Sequence, residues 1–423
     1  MEVKGEENII KYLESVCLKI KSKRAHGQIK EELYAHIEEK KNDYIKCGNS
    51  EKVAEEKALR DMGSSDILGE ELNKVHKEKF NYRILITVAF LIITGIITMY
   101  SLRGNAYNYF ANEYVYINNM IIYITLGIGV FLLMSFFDYR KIKNKSVHLY
   151  ILSIALFMVL FLFNSPVNNI NSWINIGPIS INVRDLAVNT FLISLVGIFK
   201  DIKWDTKKGM IYGLILSFIP LGFLMILNYS LGVAIIYTVT LIFLLYISTK
   251  NRKLTLGLMF IFIIALILIY SQNSYDNYLH NTTKELLDSS VFIGKGTGVN
   301  LDIIPNNISD CIIASLIYSF GWVFGVLVLC LVLFLIIYML KISGKICDIY
   351  GKRLIIVIST IFACQYVLGF LYNFGILNFY SVSIPFISYG GSNIIISFIA
   401  VSYTHLTLPT KYNSCRSRWS PYH

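Results

Sequence analysis

Charge is scarce in this chain. Only 16% of its 423 residues are charged, against 55% hydrophobic. Soluble globular domains carry about 25% charged residues, so the deficit excludes an ordinary soluble enzyme and points to a protein seated in a lipid bilayer. Paired cysteines are lacking as well. The seven cysteines stand at 17, 47, 311, 330, 347, 364 and 415, and no two form a CxxC. That excludes a disulfide or zinc framework and leaves them as small apolar fillers. Metal ligands are not grouped: His36 has no second ligand at i+4 on its helix face, so it reads as a surface or packed histidine. Gly294 to Gly298, GKGTG, lacks the GK[ST] ending of a phosphate-cradling loop. The first 80 residues are too polar to supply the apolar core of a cleavable signal peptide. Neither ionisable residues at mid-span nor an inverted repeat is clear, which ranks a channel or secondary transporter last.

What is present is a series of long apolar runs. A bilayer span needs about 20 apolar residues. Ten candidates occur, near 84–101, 117–137, 149–164, 181–199, 209–228, 231–247, 254–270, 311–340, 354–373 and 391–403. The loops between them differ in charge. One set holds Arg140, Lys141, Lys143 and Lys145, then Lys200, Lys203, Lys207 and Lys208, then Lys250, Arg252 and Lys253, then Lys341, Lys345, Lys352 and Arg353. The opposite set holds only Arg103, Arg184, Lys284 and Lys295. Lys and Arg collect in cytoplasmic loops. Both termini are therefore expected in the cytoplasm, and the loops near 102–116, 165–180, 229–230, 271–310 and 374–390 outside. The net charge of +11 follows from the same bias and calls for no nucleic acid.

Residues 1–80 read differently. They are rich in Lys and Glu, and Ile9, Leu13, Cys17 and Ile20 recur at helical spacing, as do Ile29, Leu33 and Ile37. Gly48-Asn49-Ser50 and Gly63-Ser64-Ser65 break the pattern where new helices would be capped. The reading is about four short amphipathic helices. Residues 404–423 have no helical period or turn logic, and the expectation is a non-native tail after a tenth span cut short.

The fold expected is all-α: a polytopic membrane bundle of about ten transmembrane helices at 81–403, with a small soluble helical domain at 1–80. Ionisable residues at the mouth of such a bundle are costly and often functional. On the outer side these are Asp310 at the start of the eighth run, Asp185 with Arg184 at the start of the fourth, and Lys295 in the large loop. An aspartate at a helix N-terminus also caps free amides and complements the helix dipole, so Asp310 has a structural reading beside a chemical one. Between the last two runs lies Pro385 to Ser392, PFISYGGS. There Pro385 restricts one backbone angle and Gly390-Gly391 relax two others, as a loop re-entering a bilayer needs.

PFISYGGS and Trp173 to Pro178, WINIGP, resemble signatures of the shape, elongation, division and sporulation family (FtsW, RodA, SpoVE). GKGTG, Asn373-Phe374-Gly375 and the Pro305/Asp310 pair resemble further family positions. The likeness spans about 84–403. The chain departs from the family pattern at Asn306, where glutamate is usual, and at Ile308-Ser309, where histidine-threonine is usual. It departs again at Arg184-Asp185, which replace a serine-glutamate pair, and at Val188, which replaces a lysine. Asn228 to Ala234 lacks the proline and aspartate of the related family stretch. Residues 1–80 resemble the helical prefix domain fused to some bacterial permeases, which implies an interaction or regulatory module.

The resemblance implies a glycosyltransferase that polymerises lipid II at the outer face of the bacterial cytoplasmic membrane, in division, shape control or sporulation. Asp310 would be the base for the acceptor hydroxyl. Partial desolvation would raise its pKa and improve it in that role. Lys295 and Arg184 would meet the lipid diphosphate. Asp185, Trp173, Asn175, Ser388, Tyr389, Gly390 and Gly391 complete the expected substrate-binding set. A divalent cation has room in such chemistry, but no ligand cluster demands one. The family's usual partner is a transpeptidase of the class B penicillin-binding type, and membrane lipid surrounds the bundle. Two other readings stay open: a lipid II flippase, which needs no base, and a non-catalytic scaffold or regulator of cell-wall synthesis.

Overall fold

A computed structural model describes residues 3–21, 26–76, 81–101, 115–137, 139–162, 173–176, 179–226, 231–249, 251–272, 277–299, 310–346, 348–377 and 382–406. They fall into two units, one within residues 1–80 and one within 81–407.

The first unit holds four helices: α1 (Val3–Leu18), α2 (His26–Lys46), α3 (Glu51–Met62) and α4 (Ser65–His76). The residues at helical spacing supply its core. Ile9, Leu13, Cys17, Ile20, Ile29, Leu33 and Ile37 are all buried, and Ala58, Met62, Leu68 and Leu72 close the cluster. Gly48 and Gly63 carry φ of 88° and 80° at the helix breaks, a region that only glycine enters cheaply. Lys41 Nζ donates to Glu51 Oε1 at 2.7 Å, which holds the Glu51 carboxyl below its usual range. His36 Nδ1 lies 3.7 Å from Glu39 Oε2.

The second unit is the membrane bundle. It runs α5 (Tyr82–Ser101), α6 (Val115–Ser135), α7 (Tyr139–Asn144), α8 (Ser146–Leu162), β1 (Trp173–Ile176), β2 (Ile179–Asn182), α9 (Val183–Asp201), α10 (Lys207–Ile226), α11 (Leu231–Thr249), α12 (Arg252–Gln272), α13 (Asn277–Asp288), α14 (Ile312–Phe320), α15 (Trp322–Ser343), α16 (Ile349–Asn373) and α17 (Gly391–Leu406). Among the described residues, six helices are long and apolar enough to cross a membrane, and α8 and most of α17 are apolar but shorter. The outward faces stay apolar, with Phe90, Leu133, Phe161 and Phe260 exposed, as lipid-facing surfaces are. The protein is a polytopic all-α membrane protein.

Helix α9 lies at the centre of packing. Phe191 stacks on Phe157 at 5.7 Å, and Phe157 stacks on Phe223 at 5.5 Å. Pro220 lies inside α10. Proline has no N–H, so the carbonyl four residues back loses its helical partner. That carbonyl, Leu216, accepts from the Tyr150 hydroxyl at 2.8 Å instead, and Ser217 next to it accepts from Tyr237 at 2.7 Å. In lipid each freed backbone group needs such a partner.

Two expected elements differ. The run 311–340 is not one span. It breaks at Gly321, whose φ is 94°, into the nine-residue α14 and the 22-residue α15. Trp322 at the start of α15 stacks on Phe374, just past α16, with centroids 6.2 Å apart. At the other end of α14, Asp310 is bonded to Asn373, the last residue of α16. Both ends of α14 are thus tied to one end of the bundle, and the helix lies across that end instead of passing through it. The second difference is the hairpin. Trp173 pairs with Asn182 and Asn175 with Ser180 in an antiparallel register, in the stretch read from sequence as the outer loop 165–180 and the first residues of the span 181–199. The alternation Ile174, Ile176, Ile179, Ile181 is a strand period, which an averaged hydropathy run conceals. Of the expected tail, residues 404–406 finish α17, and 407–423 lie outside the described residues.

Candidate active site

The loop 382–390 descends into the bundle beside α16. Gly369 of that helix is where an added Cβ would meet Ile384 Cγ1 at 2.5 Å. The Tyr366 hydroxyl, one turn deeper, donates to the Pro385 carbonyl at 3.0 Å. Phe362, a turn deeper again, meets the Phe386 ring at 6.0 Å. From residue 373 to 362 the helix descends about 16 Å. Non-helical backbone at such depth persists only where protein surrounds it, and Val382 and Ile384 to Ser388 are buried.

Within this loop the left-handed backbone falls on Phe386, φ 64°, and not on the two glycines. The expectation that Gly390 and Gly391 supply unusual backbone angles is therefore corrected. They supply room. A Cβ on Gly391 would lie 2.5 Å from Tyr123 Cε1, and one on Gly390 would lie 3.1 Å from Ser383 Oγ. Ser388 is 1% exposed, and its hydroxyl donates to the Ile384 carbonyl at 3.0 Å. Tyr389 is half-buried. Its hydroxyl accepts from Asn119 Nδ2 at 3.3 Å, and its ring meets Tyr123 edge-on at 6.4 Å. The Ser180 amide donates to the Tyr123 hydroxyl at 2.8 Å, and the Asn182 amide donates to Ser392 Oγ at 2.9 Å. The signature loop and the WINIGP hairpin, remote in sequence, thus form one polar seam.

Asp310 is half-buried at the start of α14. Asn373 holds this helix end. Its Oδ1 accepts from the Ile313 and Ala314 amides, each at 3.1 Å. Its Nδ2 donates to the Asp310 carbonyl at 3.0 Å and to the Gly369 carbonyl at 2.8 Å. Ile313 and Ala314 follow the N-cap position, Cys311, so a side chain from another helix caps α14. Pro305 to Ser309, upstream, lie outside the described residues.

Arg184 and Asp185 open α9, where Asn182 Oδ1 accepts from the Asp185 amide at 3.1 Å. Arg184 Nε lies 3.5 Å from Asp185 Oδ1, with the side chains only 8% and 16% exposed. Arg184 Nη1 is buried with no hydrogen-bond partner among the described residues. Val188, one turn on, is 2% exposed, so no charge stands where the family pattern has a lysine. Trp173 and Asn175 are on β1 of the hairpin, in register with Asn182 and Ser180. Lys295 is exposed. Its neighbours Gly294 and Gly296 donate to the Phe320 and Tyr318 carbonyls at 3.2 and 2.7 Å. Lys295 is thus tied to the end of α14 opposite Asp310. The fold brings Arg184 and Asp185 into contact and leaves Asp310 and Lys295 at the two ends of one short helix. Among the described residues no group of three His, Cys, Asp or Glu is placed to hold a metal ion.

Two residues at this end of the bundle had no role in the sequence reading. Asn373 caps a helix other than its own, which no pattern local to residue 373 signals. His280 of α13 packs its ring against Gly375, where a Cβ would lie 3.0 Å from Cε1. Only the tertiary contact reveals it.

The relatives agree with this architecture. A probable peptidoglycan glycosyltransferase FtsW of Idiomarina loihiensis is 24% identical over 307 residues, 66% of this chain and 75% of the relative. The FtsW of Bacillus subtilis with the same designation is 22% identical over 382 residues, 81% of this chain and 94% of the relative. Among solved structures, the Thermus thermophilus rod shape determining protein RodA aligns with a TM-score of 0.60 at 17% identity. The alignment covers 81% of this chain and 98% of that one. A chain from a peptidoglycan synthase complex described as coordinating polymerization and crosslinking aligns with a TM-score of 0.65 at 17% identity, covering 77% and 97%. At these identities the structures speak for the fold alone. The sequence pattern of the FtsW, RodA and SpoVE cell cycle proteins matches residues 82–404, which is the whole membrane bundle, and the chain belongs to that family.

Proposed function

We propose that this protein is a peptidoglycan glycosyltransferase that polymerises lipid II at the outer face of the bacterial cytoplasmic membrane, with both termini in the cytoplasm. The observation that carries the reading is the setting of Asp310, within a bundle whose relatives bear that activity in their names. Asn373 caps α14 and holds the Asp310 backbone, which fixes that residue at the start of the helix. In this reading Asp310 accepts the proton of the acceptor sugar hydroxyl. The oxygen forms a bond to the anomeric carbon of the growing glycan, and the lipid diphosphate departs with the bonding pair. Arg184 is the candidate for the diphosphate role, since its buried Nη1 has no hydrogen-bond partner among the described residues. Lys295 supports it from the exposed loop. A class B penicillin-binding transpeptidase is the partner this reading expects. The first 80 residues take no part in the chemistry.

The test is polymerisation of purified lipid II by the detergent-solubilised protein beside Asp310→Ala and Asp310→Asn, each with and without the transpeptidase. Glycan chains from the unaltered protein, with at least a hundredfold loss in both variants, is the expected result. Chains from Asp310→Asn at the unaltered rate would remove Asp310 from the mechanism. If folded, unaltered protein made none with the partner present, the flippase or scaffold reading would stand instead.

A further inference from the structure

The loop between α13 and α14 has an apolar tip that the proposed chemistry does not use. Phe292 and Ile293 are each 74% exposed, and Val291 before them is exposed too. In a loop one expects such side chains to turn inward or be replaced by polar ones. These are fixed in place. The Trp322 amide donates to the Val291 carbonyl at 3.1 Å, and the Val323 amide donates to the Phe292 carbonyl at 3.2 Å. Gly321 permits this approach: a Cβ there would lie 2.6 Å from the Phe292 carbonyl oxygen and 2.8 Å from Ile293 Cα.

The bonds to Trp322 and Val323 also fix depth. Helix α15 has 22 residues, about 33 Å at 1.5 Å each, against a hydrocarbon core of about 30 Å. Its first residues therefore stand at the bilayer interface, where Trp322 is suited to sit. Val291 to Ile293, bonded to those residues, share that level. Val323 and Val326 in the first turns of the span are exposed as well. Two positions beyond Ile293 comes the exposed Lys295, a cation at the level of lipid phosphates. An apolar tip with a lysine beside it is the pattern of a segment that seats itself in the interface.

We infer that this loop is an interfacial anchor: Val291, Phe292 and Ile293 insert among the acyl chains of the surrounding bilayer, and Lys295 pairs with headgroup phosphate. The occupant is bulk phospholipid, not a protein. The inference rests on the membrane fold; it shares only Lys295 with the glycosyltransferase reading, and vesicles without polyprenyl-linked sugar separate the two. It is tested by placing benzoylphenylalanine at Phe292 in the full chain. The protein is reconstituted in vesicles of phosphatidylethanolamine and phosphatidylglycerol that contain no polyprenyl-linked sugar. The same photoreactive residue at Leu327, on the exposed face of α15, is the reference. The expected result is a phospholipid adduct at 292 in a yield within about threefold of that at 327. Adducts at 327 with none at 292 would overturn the inference. So would a protein adduct at 292 replacing the lipid adduct in native membranes. Lys295→Glu is expected to lower the share of phosphatidylglycerol among the 292 adducts at least twofold. An unchanged share would overturn the part assigned to Lys295.

Discussion

At the scale of single residues, the glycines of the signature loop show how space can matter more than backbone freedom. Gly391 faces the Tyr123 ring, whereas a Cβ on Gly129 of α6 meets nothing within 4 Å. Gly391→Ala should therefore destabilise the folded protein by about 1–3 kcal/mol, the usual cost of overpacking. Gly129→Ala should hold or gain slightly, since alanine exceeds glycine in helix propensity by about 1 kcal/mol. Thermal unfolding in detergent separates the two. Equal midpoints would mean that the Tyr123 side chain yields freely. Asn373 belongs to the same scale. Without its side chain the Ile313 and Ala314 amides are left in a buried place, each at a cost of about 1–3 kcal/mol. The importance of PFISYGGS was legible in the sequence, because breakers in an apolar stretch stand out. The reason for its glycines was not: Tyr123 is remote in the chain, and no local pattern records who approaches whom.

At the scale of elements, Gly321 decides between two readings of 311–340. A continuous helix would be strengthened by Gly321→Ala through propensity. The broken helix should be weakened, because alanine is strained at φ 94° and its methyl meets the Phe292 carbonyl. The expected outcome is a loss of about 1–3 kcal/mol, with faster proteolysis at the 289–298 loop. A rise in stability would restore the single span. The hydropathy of this segment could not show the break, since α14 and α15 are equally apolar on both sides of it. The hairpin at 173–182 is hidden for a related reason: its isoleucines alternate over strands of only four residues, too short for an averaged run to register. The first-unit helices were easier to read. Ile29, Leu33 and Ile37 point into one core, because helical period alone selects which face is buried.

At the scale of the whole molecule, the charge asymmetry of the loops predicts the side on which the first unit lies. Cys47 is exposed and serves as a marker. In a variant keeping Cys47 as its single cysteine, a membrane-impermeant maleimide should label inverted vesicles and leave intact cells unlabelled. The reverse pattern would invert the proposed topology and move Asp310 to the cytoplasmic side. The family pattern covers 82–404, so the first unit stands outside it, with its own core; Ser50, expected as a cap, makes no side-chain cap bond at the start of α3.

The sequence by itself determined the membrane class, the succession of apolar segments, the core faces of the first four helices and the family motifs. All of these depend on residues near one another in the chain, where period and hydropathy act directly. Only the tertiary structure decided that α14 lies across one end of the bundle and that Asn373 of another helix caps it. The same holds for the close approach of Gly391 to Tyr123. These depend on contacts between distant segments, where the free energy of one close approach or one buried hydrogen bond selects the arrangement and leaves no mark in local composition.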